Sequence, residues 1–112
     1  MNTDHAAIDL GTMQAAAASA CALLKVLANP DRLLLMCQLS QGELSVGELE
    51  ARLGIRQPTL SQQLGVLREN GLVATRRDGK SIFYSIVSTE AIAVMTVLYA
   101  QFCATPGEEP TC

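Results

Sequence analysis

The chain has 112 residues, a net charge of −3 and 49% apolar residues, with only two Tyr and two Phe as aromatics. That length suits one compact domain, and so few aromatics make a thin core that a dimer sharing apolar helices would complete. No apolar run reaches the ~18 residues of a membrane span, and the pattern suggests no second domain.

Residues 1–11 read as a disordered N-terminal segment. The run AAAASACALL (15–24) has the look of a secretory signal, but no Lys or Arg precedes it and Asp4 and Asp9 do. A signal needs a positive start, so the expectation is a cytoplasmic protein. In that compartment the four cysteines Cys21, Cys37, Cys103 and Cys112 do not read as a disulfide framework. They show no C-x-x-C spacing, and the single histidine is His5, so a zinc site of ordinary local spacing is not expected.

A first helix is expected over about 12–28, with Leu23, Leu24 and Leu27 on one side and small residues on the other. NPDR (29–32) then marks a helix start: Asn29 suits the N-cap, Pro30 the first helical position, and Asp31 the positive end of the dipole. The second helix, about 30–40, is apolar nearly all round and should lie at the buried centre. Cys37 sits inside that apolar run, where a cysteine most often serves as a small hydrophobe.

SVGELEARLG (45–54) predicts a short third helix, with Ser45 and Glu48 as a capping box and Gly54 as its stop. A fourth is expected over 55–71, with Pro58 in its first turn and Leu60, Leu64 and Leu67 as one apolar stripe. Two short helices separated by about three residues that include a glycine form a helix-turn-helix pattern. LVATRRDGKSIFYSIV (72–87) predicts a hairpin turning at Asp78-Gly79, which sets Arg77 opposite Lys80. Like charges placed so suit an external anion. A last helix, about 89–103, is capped by Ser88 or Thr89 and carries Ile92, Met95, Tyr99 and Phe102 in a near-heptad seam. The tail 105–112 is polar and Pro-containing and reads as disordered, leaving 12–104 as the domain.

The charge is unevenly placed. Residues 51–85 hold six basic and two acidic side chains, a net +4, and the remainder is −7. Binding to nucleic acid depends on the local field and not the total. The expected fold class is therefore mainly α with a β-hairpin wing: a winged helix-turn-helix of five helices and a two-stranded wing. In such an element the second helix of the pair enters the major groove. With the leucine stripe inward, Thr59, Ser61, Gln62 and Gln63 point outward or flank, and Gln can pair bidentately with adenine. Arg56, Gln57 and Arg68 lie near the ends of that helix, where the arginines could hold phosphates. Arg76, Arg77 and Lys80 on the wing supply affinity without sequence readout.

Residues 27–86, above all LANPDRL, QPTLSQQLGVLRENGLV and RRDGKSIFYSI, resemble the ArsR/SmtB family of winged-helix repressors, and the likeness extends over about 14–103. The resemblance implies a homodimer joined through the first and last helices, which fits Leu23, Ile92, Met95, Tyr99 and Phe102 as interface residues. It also implies double-stranded operator DNA as partner and repression relieved by an inducer. No base, nucleophile and anion-binding constellation appears and the single His5 lies near a terminus, so no enzymatic activity is expected. The positions where arsenic- and cadmium-type members carry third-helix cysteines are Ser45 and Gly47 here, and the last helix lacks the histidines of zinc- and nickel-type members. No metal or other cofactor is expected. Cys37 and Cys103 instead resemble the thiol pair of the BigR/SqrR-type subgroup, which senses reactive sulfur and oxidants. That likeness implies a dithiol that holds DNA and a cross-linked form that releases it. Two alternatives stay open: the same thiols responding to a soft metal or arsenite, and a winged-helix module that binds protein and not DNA.

Overall fold

The computed structural model describes residues 9–103. The first helix, α1 (Leu10–Leu27), starts earlier than expected because the Asp9 side chain accepts the Thr12 N–H at 2.7 Å. Residues 10 and 11, expected to belong to a disordered segment, are helical, and residues 1–8, with His5, and the tail 105–112 lie outside the described residues. At 18 residues and a mean hydropathy of 1.4, α1 is long and apolar enough to span a membrane by length and composition alone. Gly11, Thr12, Gln14, Ser19 and Lys25 interrupt it, so it contains no unbroken apolar run of that length, and alanines, not large side chains, supply much of its apolarity.

α2 (Pro30–Leu39) begins as expected, with Asn29 as N-cap and Pro30 in the first turn. α3 (Val46–Leu53) carries both halves of its capping box, Ser45 and Glu48. Gly54 ends it at φ +70°, a left-handed conformation that glycine adopts without a Cβ clash. α4 (Thr59–Glu69) is shorter than the expected 55–71, because residues 54–58 form the turn and Pro58 is its N-cap, not part of its first turn. α5 (Thr89–Phe102) is capped by the Ser88 hydroxyl, which accepts the Ala91 N–H at 3.0 Å.

The wing departs from expectation in two ways. The sheet has three antiparallel strands, β1 (Leu44–Ser45), β2 (Val73–Asp78) and β3 (Ser81–Ile86), in the order β1-β3-β2. β1 has two residues, too few for a period to show, and Ser45 serves both as its end and as the α3 cap. The hairpin also turns one residue later, at Gly79-Lys80. Asp78 pairs with Ser81 and Arg77 with Ile82, so Arg77 and Lys80 do not face each other. A turn at Asp78-Gly79 of the favoured kind would need positive φ at both residues. With Gly79 first, only the glycine takes positive φ, at +63°.

The core gathers Leu35, Met36 and Leu39 of α2, Leu49 of α3, Leu60, Leu64 and Leu67 of α4, Leu72 and Val73 at the wing base, and Ala91 and Met95 of α5. The leucine stripe of α4 is almost wholly buried, which fixes the face that α4 turns outward.

Candidate DNA interface and thiol cavity

The α3-turn-α4 unit is set by buried anchors. Ile55 in the turn and Leu49 in α3 enter the core, while Ser61 and Gln62 stand exposed and Thr59 and Gln63 are half-buried at the edge. Pro58 offers no side-chain cap to α4. The Gln57 amide oxygen replaces it, accepting the Ser61 N–H at 3.1 Å. Gln57 thus holds the front of the helix together. Gln63 is engaged as well: its Oε1 accepts from Arg32 Nη1 at 2.9 Å. Arg56 and Arg68 are exposed just before α4 and in its last turn.

On the wing, Arg76, Arg77 and Lys80 are all exposed, but they are not equivalent. Arg76 donates through Nε and Nη2 to both oxygens of Glu43, at 3.1 and 2.7 Å, and its guanidinium lies 4.7 Å from the centroid of the Phe83 ring. A bidentate fork of this kind is well suited to a carboxylate. Arg76 holds the Glu43 carboxyl below its usual range, and Glu43 in turn raises Arg76. Arg76 therefore ties the wing to the loop after α2. No local pattern marks Glu43, which is 33 residues away in sequence.

The two helical thiol positions come together elsewhere. Leu33 and Cys37 of α2, Met95, Leu98, Tyr99 and Phe102 of α5, and Cys103 at its C-cap line one apolar cavity of about 270 Å³. Cys37 is only 7% exposed, and burial pushes its thiol up from the ordinary range. Cys21 lies exposed on α1, away from this cavity. Among the described residues, no three His, Cys, Asp or Glu side chains converge.

Comparison with known proteins places this geometry. The family model described as "Bacterial regulatory protein, arsR family" matches residues 29–75. A biofilm growth-associated repressor of Agrobacterium fabrum is 57% identical over 101 residues, which cover 90% of this chain and 86% of that protein. The chain belongs to the ArsR family. The ArsR-family fold is equally evident in solved structures. The transcriptional repressor BigR from Xylella fastidiosa superposes with a TM-score of 0.79 at 51% identity, covering 88% of this chain and all of that one. Reduced HlyU from Vibrio cholerae N16961 gives 0.82 at 44% identity, covering 85% of this chain and all of that one.

Members of the ArsR family are DNA-binding transcriptional regulators, and this ArsR-family protein has the same winged helix-turn-helix fold. The family match spans α2, α3 and α4 and includes Cys37 but stops short of Cys103. Of the residues read as a dimer seam, Ile92 and Phe102 are exposed and Leu23 and Tyr99 half-buried. Met95, at 2% exposure, is used within the protomer's own core. Sequence reasoning did not find Arg32 or Glu43, whose partners lie 31 and 33 residues away.

Proposed function

We propose that this ArsR-family regulator is a homodimeric repressor of the cytoplasm that leaves its operator when Cys37 and Cys103 become cross-linked by reactive sulfur. The observation that carries the reading is that Cys37 and Cys103 line one apolar cavity between α2 and α5. The biofilm repressor and BigR, both named as repressors, support the direction of control. One of the solved relatives is described by its redox state, as reduced HlyU.

The chemistry balances without a metal. The Cys37 thiolate attacks the outer sulfur of a persulfide RS–SH; the S–S bond breaks, the thiol RSH leaves, and Cys37 becomes its own persulfide. In the reduced protein the Cys103 thiolate then attacks the Cys37 Sγ, closing a disulfide and expelling hydrogen sulfide. A polysulfide donor leaves extra sulfur atoms in the bridge. Either bridge locks α5 against α2, and a dimer joined through α1 and α5 would then space its two α4 helices differently. Half-sites lie one helical turn apart, so spacing is unforgiving. A coupling of ~3 kcal/mol would lower DNA affinity about 150-fold.

The test is DNA binding by reduced and by polysulfide-treated protein, with Cys37→Ser and Cys103→Ser beside the wild type. The wild type is expected to lose DNA on treatment and both variants to keep it. Peptide mass spectrometry should find Cys37 joined to Cys103. Release of DNA by the Cys37→Ser protein on treatment would overturn the assignment. Release by arsenite that a chelating dithiol reverses, with no response to polysulfide, would move the same two thiols to a metalloid-sensing role.

A further inference from the structure

Arg32 is oddly placed for a helix start. It sits in the first turn of α2, the positive end of the helix dipole, where a cation is unfavourable. Among the described residues no carboxylate pairs with it. Its donors go elsewhere. Nε donates to the Val26 carbonyl at 2.6 Å and Nη2 to the Lys25 carbonyl at 3.5 Å, both in the last turn of α1, where a cation is favoured. Nη1 donates to Gln63 Oε1 at 2.9 Å. One guanidinium thus joins the end of α1, the start of α2 and the middle of α4.

The contact with Gln63 has a definite chemical sense. A guanidinium has donors and no acceptor, so the amide atom facing it must be oxygen. The reading of an adenine by Gln uses both ends of the amide, the oxygen accepting from N6 and the nitrogen donating to N7. Gln63 gives one lone pair of its oxygen, and with it the orientation of its amide, to Arg32, which disfavours the two-ended adenine contact. The end it presents most readily to a ligand is the Nε2 donor pair, which suits an acceptor: guanine N7 or O6, thymine O4 or a phosphate oxygen. Gln62, exposed one position earlier, keeps both ends of its amide for a base.

We infer that Arg32 is a positioning residue for DNA recognition: it orients the Gln63 amide as a hydrogen-bond donor toward the ligand and fixes α4 against the end of α1. This rests on α4 entering the groove, and Gln62→Ala tests that separately.

The probes are a duplex carrying the site this protein selects from a random-sequence library and a scrambled duplex of equal length. Gln63→Leu removes the amide and leaves both Arg32 bonds to α1. It is expected to lower the ratio of selected to scrambled binding about tenfold with little change in melting temperature. Arg32→Met should lower the ratio by a similar factor, and the double variant by no more than either alone, because the two act as one unit. Repeating the selection with Arg32→Met should admit adenine at one position in each half-site, since the amide oxygen is released. Gln63→Glu keeps an acceptor for Arg32 but has no donor, so it should melt as the wild type and still lose the ratio, even if Arg32→Met fails to fold. Additive losses, or an unchanged Gln63→Glu ratio, would overturn the inference. An equal fall on both duplexes with an unchanged selected sequence would do the same. If Gln62→Ala binds both duplexes as the wild type does, the placement of α4 in the groove is what fails.

Discussion

Cys37 occupies the kind of site that protects a thiol. Its burial raises the pKa above the ordinary 9.0, so at neutral pH the nucleophilic thiolate is a small fraction. The sign follows directly: below the folded pKa, that fraction rises about tenfold per pH unit. Cross-linking by polysulfide, measured as a rate by quenched mass spectrometry, should therefore climb through the alkaline range without a plateau below pH 9. A neutral alkylating agent should modify the exposed Cys21 well before Cys37, as peptide mapping would show. The apolar lining around the thiol disfavours charged species, which favours a small uncharged sulfur donor over an anionic one.

The wing behaves as an element with one fastened and two open cations. Arg77 and Lys80 are exposed, while Arg76 is bound to Glu43. Replacing Arg77 or Lys80 by Ala should each lower the slope of log affinity against log salt by about 1, and Arg76→Ala by less. Glu43→Gln should strengthen binding to scrambled DNA, because it frees Arg76 and removes an opposing charge. Glu43 is depressed in the folded protein, so its tie to Arg76 holds at neutral pH and is lost as pH falls through that lowered value. Ser45→Ala should cost about 1 kcal/mol of stability in chemical denaturation, by opening the α3 capping box. The ends of the helices were legible because caps are local: Asn29-Pro30, Ser45 with Glu48, and Gly54 each act within four residues. The hairpin register was misread because two adjacent dipeptides could turn, and only backbone φ separates them. Glu43 with Arg76, and Arg32 with Gln63, are long-range contacts that leave no periodic trace. The leucine stripe of α4 was readable for the opposite reason, since burial imposes a repeat.

A single protomer leaves much apolar surface uncovered. Leu10, Met13 and Leu24 on α1 and Ile92, Val97 and Phe102 on α5 are exposed, Phe102 at 82%. Both helices belong to the proposed dimer seam, so the thin core foreseen from composition would be completed by a second copy. The melting temperature should then rise with protein concentration, and sedimentation should show a dimer; a concentration-independent melt of a monomer would refute the seam. The thiol cavity carries one more consequence. Cys37 and Cys103 lie about 66 residues apart in sequence, so a bond between them would enclose most of the domain in a covalent ring. Closing such a ring restricts the unfolded chain and adds ~4 kcal/mol of stability in the chain-entropy account. The cross-linked form would thus outlast the dithiol form under heat or protease, and a reductant would be needed to return a cross-linked molecule to the dithiol.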